Sequence, residues 1–315
     1  MTLHQNAFGV DLSYDWLDVA SDRENRTWRT ANTADAVAAF VAKLRAEPVK
    51  PFVVFEATSG CDHELRRQLT AAGIAFHRVN PRQAREFARA TGKYAKTDKV
   101  DARVLAEMAA RLDLAPTVEP SQVRKDLAEL VTRRDQLVEE IVREKNRLSQ
   151  AQNPHVRRDI ASHVRLLEGR RDKFEAAIAE HMRASAELAE DAQRLQQVPG
   201  VGPLVSATLL AELPELGHRD RRAIASLAGL APLASDSGRH RGKRRIWGGR
   251  RKARRALFIA AMHASRWCRH WAALRDRMLA AGKAKKVVLV TIARRILVAI
   301  NAMLRDRTDF KPAGV

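Results

Sequence analysis

The sequence predicts an α/β N-terminal domain, a central α-helical coiled-coil hairpin and a mainly α-helical, strongly basic C-terminal domain. Three observations carry this. Short apolar runs alternate with helical patterns over residues 1–113, two long heptad-spaced stretches fill 114–191, and the charge is confined to 192–315. Of the net charge of +20, residues 1–113 contribute +2, 114–191 contribute −1 and 192–315 contribute +19. That asymmetry is the footprint of one domain lying on a polyanion while the rest stays near neutral.

In the N-terminal third, "AFGVDLS" (7–13) and "WLDVASD" (16–22) are apolar runs separated by a turn-like "YD". "NRTWRTAN" (25–32) alternates as a third strand, so the three predict a meander. "TADAVAAFVAKLRAE" (33–47) has a Thr or Asp cap and helical spacing. "PFVVFEAT" (51–58) reads as a strand buried on both faces, followed by the helix "CDHELRRQLTAAG" ended by Gly73. "IAFHRVN" (74–80) is the fifth strand, and Pro81 opens a helical stretch interrupted near Gly92. The order β-β-β-α-β-α-β-α is that of the ribonuclease H-like fold, whose chemistry sits where carboxylates of the first strand, the fourth strand and a late helix converge.

The acids stand where that fold needs them. Asp11 lies between Val10 and Leu12, Glu56 ends "FVVF", and "KTDKVDARVLAEMAAR" supplies Asp98 and Asp101. An acid inside an apolar strand is costly unless paired or bound to a cation. Asp98 and Asp101, at i and i+3, project from one helical face. Four carboxylates in this arrangement suit Mg²⁺, with Mn²⁺ as a substitute, and two-ion sites of this kind cut or move phosphodiesters. Lys93, Lys96 and Lys99 lie close by in sequence to hold a phosphate backbone. Each acid also has an ordinary reading: Asp98 as a helix cap, Glu56 at a solvated strand end, Asp11 paired with an Arg.

In the middle, Leu127, Leu130, Leu137, Ile141 and Leu148 form a heptad seam interrupted by Arg134 and Glu144. A second run uses Ile160, Val164, Leu167, Phe174, Ile178 and Leu188, and Asn153-Pro154 breaks the chain between them. An antiparallel hairpin follows, either a spacer or an arm for self-association.

In the C-terminal third, "LQQVPGVGPLVSATLLAEL" (195–213) reads as a helix-hairpin-helix element, with Gly200 and Gly202 letting the backbone approach phosphate. "DSGRHRGKRRIWGGRRKARR" (236–255) holds ten Lys or Arg and no acid after Asp236. Gly248 and Gly249 permit a tight turn, and a helix starts near Arg250. The cations Arg239, Arg241, Lys243, Arg244, Arg245, Arg250, Arg251, Lys252, Arg254 and Arg255 are candidate phosphate ligands. "GKAKKVV" near residue 282 is a further basic stretch with no assigned role. A membrane surface is the competing polyanion, but the basic run lacks an apolar helical face and no segment reads as eighteen apolar residues. Cys61 and Cys268 are too few for a disulfide framework or a zinc site. "MTLHQNAFGVDLS" lacks signal-peptide character, so the expected location is a bacterial cytoplasm, at the nucleoid when active.

"GVDLS", "VFEATSG", "KTDKVDA", "PGVG", "GLAP", "DSGRHRG" and "GGRRKARRAL", in that order across almost the whole chain, resemble the insertion-sequence family one-ten. These are DEDD transposases related to the Piv invertases. The resemblance implies a RuvC-like N-terminal domain whose Mg²⁺ tetrad is Asp11, Glu56, Asp98 and Asp101. It implies that the Ser-Gly of the C-terminal transposase domain is Ser237 and Gly238, the serine being a nucleophile on DNA. It further implies a structured noncoding RNA, the bridge RNA, that pairs with donor and target DNA, and assembly as homo-oligomers, dimer or tetramer.

A serine hydroxyl near its free pKa needs a base or metal to ionise it and cations to receive charge. Arg239, Arg241 and Lys243 stand beside Ser237; Asp236 and His240 are the local base candidates, and Ser235 is a near neighbour. The expected function is therefore a recombinase that cuts and joins DNA under RNA guidance through a covalent phosphoserine. A RuvC-type resolvase working with metal alone is the alternative, and a nucleic-acid packaging protein is a third reading that the carboxylates disfavour.

Overall fold

The structure, a computed structural model, describes residues 4–57, 60–94, 97–234, 236–238, 240–242 and 244–311. It comprises two compact units, Met1–Glu119 and Pro120–Val315.

The first unit is built on a five-stranded sheet of order β3-β2-β1-β4-β5, with β1 Ala7–Leu12, β2 Trp16–Ser21, β3 Arg26–Ala31, β4 Phe52–Glu56 and β5 Ala75–Val79. The meander β1-β2-β3 is antiparallel, whereas β4 and β5 run parallel to β1. Four helices cover it: α1 Ala34–Arg45, α2 His63–Ala71, α3 Pro81–Ala90 and α4 Asp98–Arg111. Because side chains alternate across a strand, Phe8, Val10 and Leu12 face α1 and α2, while Ala7 and its neighbours Phe52 and Val54 face α3 and α4. The helix expected from Cys61 begins two residues later, at His63. The segment after α4 stays with this unit. Thr117 N–H donates to the Phe76 carbonyl at 2.7 Å, its hydroxyl accepts from Arg78 N–H at 2.9 Å, and Arg66 holds Glu119 through two nitrogens.

The second unit opens with the hairpin of α5 Gln122–Gln150 and α6 Pro154–Ala184, turned at Asn153, whose side chain caps α6. The seam's polar interruptions are satisfied locally: Arg134 grips Glu175 at 2.7 and 2.9 Å, and the buried Glu144 accepts from Arg147 at 2.6 Å. Leu137, Ile141 and Leu167 form a separate cluster along the arm, but Leu127, Val131, Ile178 and Met182 belong to the core of the C-terminal helices. The second heptad run is not one helix. Ser185 ends α6 and, accepting from Leu188 N–H, caps α7 Ala186–Gln196, so Leu188 packs from a new direction.

After α7 come α8 Pro203–Glu212 and α9 Arg221–Leu227, then four two-residue strands, β6 Pro232–Leu233, β7 Asp236–Ser237, β8 His240–Arg241 and β9 Arg245–Ile246. The unit ends with α10 Arg251–Trp267, α11 Arg269–Ala280 and α12 Lys285–Asp306. Among the described residues α12 is the one helix long and apolar enough by composition to cross a membrane; Arg294 and Arg295 interrupt its apolar run, and half of that stretch is buried. Val288, Ile292, Ile296, Leu297 and Ile300 of α12 form the core with Leu257 and Ala260 of α10, which accounts for its apolarity.

Candidate active site

One row of side chains crosses the first sheet. Asp11 on β1 pairs with Asp18 on β2, Asp18 pairs with Arg29 on β3, and Val10 pairs with Phe55, which brings Asp11 level with Glu56 at the end of β4. Directly paired residues share a face, so Arg29, Asp18, Asp11 and Glu56 stand in line on the α4 side. Gly9 fixes how close α4 comes. A Cβ at this position would lie 2.0 Å from the Ala102 carbonyl oxygen and 2.3 Å from Ala106 N. With Ala20, paired to Gly9, and Ala102 and Ala106, it makes a small-residue seat for the helix. Two residues further along the same face, Asp11 meets the first turn of α4, where Asp98 and Asp101 lie.

The electrostatics record that convergence. Burial, followed by the charges of Asp101, Asp98, Glu56 and Asp18 in that order, pushes the Asp11 carboxyl from 3.8 up to about 6. Among the described residues no Arg is paired with Asp11: Arg29 holds the buried Asp18 at 2.7 and 3.1 Å and reaches Asp98 at 2.9 Å. Its guanidinium also lies 5.8 Å from the centroid of the exposed Trp16 ring. Asp98 is not the helix cap either; Thr97 is, accepting from Val100 N–H at 3.4 Å. Asp18 and Arg29 were missed in the sequence. The signal available was an acid inside "WLDVAS", the same costly pattern as Asp11.

A clustering of hard oxygen donors around a carboxyl that resists ionisation fits a divalent cation. The side chains are not closed around one: Asp98 is drawn to Arg29, and among the described residues no three of His, Cys, Asp and Glu stand together as an ion-holding group. Of the neighbouring lysines, Lys93 is paired with Glu107 rather than open to phosphate. Lys96 and the side chain of Lys99 lie outside the described residues.

The basic run of the second unit is a two-tier hairpin, not a plain strip. β6 pairs with β9 at its base and β7 with β8 toward its tip, Ser237 opposite His240, with Gly238 turning at φ +53°. Ser237 and Asp236 are exposed. Asp236 is spoken for: it accepts from Gly242 N–H at 3.1 Å and from Arg244 at 2.8 Å through both oxygens, which weakens its candidacy as a base. Arg239 and Lys243 lie outside the described residues, as do the side chains of His240 and Arg241.

At the base of the hairpin two distant loops interlock. A Cβ on Gly229 would fall 2.2 Å from the Gly248 carbonyl oxygen and one on Gly249 2.2 Å from Gly229 N, both glycines having positive φ. Arg250 N–H closes the join on the Leu227 carbonyl at 2.7 Å. Three of the expected phosphate ligands are consumed here. Arg250 clamps Glu215 and donates to the Glu212 carbonyl, Lys252 donates to Thr132 at 2.8 Å, and Arg254 donates to the Gly248 carbonyl. Arg245, Arg251 and Arg255 are exposed. Gly200 serves packing too: with φ +90°, its Cβ position lies 2.3 Å from the Ala260 carbonyl of α10, while the Cβ position of Gly202, the N-cap of α8, meets open space.

Residues 9–152 match a protein-family model described as "Transposase", that of the DEDD transposases of IS110, and residues 192–276 match one described as "Transposase IS116/IS110/IS902 family". The chain belongs to the IS110 family of transposases. This transposase is 27% identical over 238 residues to the pilin gene-inverting protein of Moraxella bovis, covering 74% of this chain and 73% of that one. It is 36% identical over 134 residues to the insertion element IS110 uncharacterized 43.6 kDa protein of Streptomyces coelicolor, 38% of this chain and 31% of that one. The transposase for insertion sequence element IS1111A of Coxiella burnetii is 27% identical over 218 residues, 59% and 58% of the two chains. The transposase is thus an enzyme of DNA recombination, with DNA as its partner. The first matched stretch contains the carboxylate row and the second contains the serine hairpin and α10.

Proposed function

We propose that this transposase cuts and rejoins DNA with Ser237 as nucleophile and with a divalent cation, Mg²⁺ or in its place Mn²⁺, held by Asp11, Glu56, Asp98 and Asp101 of a RuvC-like domain. The observation that carries the reading is the line of acids across β2, β1 and β4 beneath the first turn of α4, with Asp11 pushed up to about 6. When bound, the cation supplies Lewis-acid stabilisation of the reacting phosphate and of the departing oxygen. The chain's own residues do the rest. Ser237 Oγ bonds to phosphorus as one P–O bond of the strand breaks; the Oγ proton goes to a base and the leaving oxygen ends as a hydroxyl. The phosphoserine ester keeps the phosphodiester energy, so an incoming hydroxyl can reverse the step without ATP. Exposed arginines 245, 251 and 255 hold the backbone. Ser237 and the carboxylates act on one strand when oligomerisation or domain closure brings them together.

A structured noncoding guide RNA that pairs with donor and target belongs to the same proposal, since pairing would relieve the protein of reading sequence. So does a homo-oligomer, dimer or tetramer, for which the exposed Val142, Val156 and Leu166 on the α5–α6 arm are the natural seam. A division into catalytic domain, arm and basic domain, with the boundary expected at 113 moved to 119 so that Thr117 and Glu119 stay with the sheet and the one at 191 kept, and a cytoplasmic, nucleoid-associated location, are parts of it as well. The name of the Moraxella relative suggests inversion of a DNA segment as the kind of rearrangement involved.

The second reading is a RuvC-type nuclease that hydrolyses branched DNA with metal alone. Engagement of Asp236 by Arg244 favours it, because Ser237 then lacks that base. A cleavage assay with donor and target DNA, the element's flanking RNA and Mg²⁺ separates the two. The proposal expects protein-linked DNA that is lost, by roughly a thousandfold or more, in both Ser237→Ala and Asp11→Ala. Cutting without adduct, unchanged in Ser237→Ala, would install the nuclease reading instead.

A further inference from the structure

Beside the "PGVG" turn lies an open cavity of about 540 Å³, whose walls are Pro199, Gly202 and Val205 on one side and Ile259, His263 and Trp267 of α10 on the other. The turn cannot drift from α10, because Gly200 is seated directly on the Ala260 carbonyl. Trp267 is 83% exposed, the largest apolar side chain of the unit left so open to water, and Ile259 of the same cavity is also exposed. A tryptophan kept in solvent at the mouth of a fixed apolar pocket marks a recognition surface rather than packing.

The charge around the cavity states which ligand it suits. α10 contains no Asp or Glu. On its exposed side Arg251, Arg255, Ile259, Met262 and Arg266 recur at steps of four, four, three and four, one stripe of cations interleaved with apolar side chains. Among the described residues no side chain caps the α8 N-terminus at the cavity, so beyond Pro203, which has no N–H, the Leu204 and Val205 amides are the first-turn donors toward an anion. A second copy of a chain carrying +20, with the surplus in this same unit, would meet like charge here. A phosphate alone would gain nothing from Pro199, Val205 and Ile259. An unpaired strand uses both features: a base stacks on Trp267 between apolar walls, the phosphate next to it meets Arg266, and phosphates further along the strand meet Arg255 and Arg251.

We infer that this cavity is a base-docking site for a single-stranded stretch of nucleic acid, with Trp267 as the stacking platform. The site rests on the chain's established partnership with DNA and is independent of the serine and metal chemistry, so it stands or falls separately from them. It also gives the "PGVG" element a task beyond bridging two helices: the turn forms the wall opposite the aromatic ring.

The test titrates the full-length protein with (dT)8, with (rU)8 and with an abasic octamer of equal charge, reading tryptophan emission and affinity at moderate salt. The site predicts quenching by base-bearing strands and little by the abasic one. Trp267→Ala should remove that quenching and weaken (dT)8 binding by roughly 5- to 150-fold, whereas Trp267→Phe should retain most of the affinity. Because the side chain is exposed, both variants should melt like the parent, which separates loss of the site from loss of the fold. Quenching by both strands would assign the site to either nucleic acid, and quenching by one would identify the strand it serves. Equal binding of the abasic octamer, or unchanged affinity in Trp267→Ala, would overturn the inference. So would a change in sedimentation without a change in quenching, which would make the face a contact between copies.

Discussion

The carboxylate row and the serine hairpin are built by opposite means. Asp11, Asp18, Arg29 and Glu56 are set by strand register inside a five-stranded sheet, and Gly9 brings α4 to within backbone contact of that row. The hairpin has two residues per strand and an exposed Ser237, and its order comes from the Asp236–Arg244 pair and the glycine join at its base. The first site is a consequence of packing, which makes it sensitive to volume. The second stands out from its core and is sensitive to what binds it. The difference suits the proposed chemistry, in which the carboxylates keep a fixed geometry while the serine is presented to a strand that helps to order it.

This comparison can be broken by substitutions that leave every functional group in place. Gly9→Ala adds one methyl where 2.0 Å separates it from the Ala102 carbonyl, so α4 must shift. A loss of about 3 kcal/mol or more is expected in denaturant melts, with metal affinity falling alongside. A neutral Gly9→Ala would mean that the helix is not seated as described. Arg29→Gln should lower the denaturation midpoint clearly, because it leaves the Asp18 carboxylate buried without its partner. Asp18→Asn combined with Arg29→Gln should recover most of that loss. Failure of the double variant to recover would show that Arg29 acts chiefly through Asp98.

A smaller effect is written into pH. Asp11 titrates near 6 in the folded chain and at 3.8 when unperturbed, so between these values the folded state keeps a proton the unfolded state has released. Its ionisation therefore costs stability fully above pH 6, and the cost is relieved as pH falls toward 4. Asp11→Asn in metal-free buffer should stabilise the protein by about 1–2 kcal/mol at pH 7.5, after allowance for solvent screening, and not at pH 4. A uniform gain across pH would point to packing instead. Smallest of all, Gly238→Ala meets open space and strains only one positive φ, so it should change stability by about 1 kcal/mol or less. Thermal melts with and without bound DNA would check whether the hairpin's conformation matters only in the complex.

Much of this was legible in the sequence, for identifiable reasons. An acid within an apolar strand is conspicuous, which exposed Asp11; Glu56 stood out by closing "FVVF" at the matching place in the strand order, and the i, i+3 spacing of Asp98 and Asp101 follows from helix period alone. Asp18 carried the same mark yet went unassigned, because its partner Arg29 is visible only once β2 and β3 are in register. Local spacing likewise could not show that Arg250, Lys252 and Arg254 are spent on Glu215, Thr132 and Gly248; such partners are remote in the chain. The heptad count carried the second run through Ser185, where a capping serine ends one helix and starts another. The mutual seating of Gly229 and Gly249 is a contact between loops twenty residues apart, and glycine composition alone predicts a turn, not its neighbour.

The most direct test of the central claim is to trap the protein on cleaved DNA, digest the complex and identify by mass spectrometry the residue that carries the nucleotide. The account predicts a phosphodiester remnant on Ser237, with none formed in Asp11→Ala. A remnant on Ser235 or another side chain, or DNA cut with no remnant at all, would contradict it.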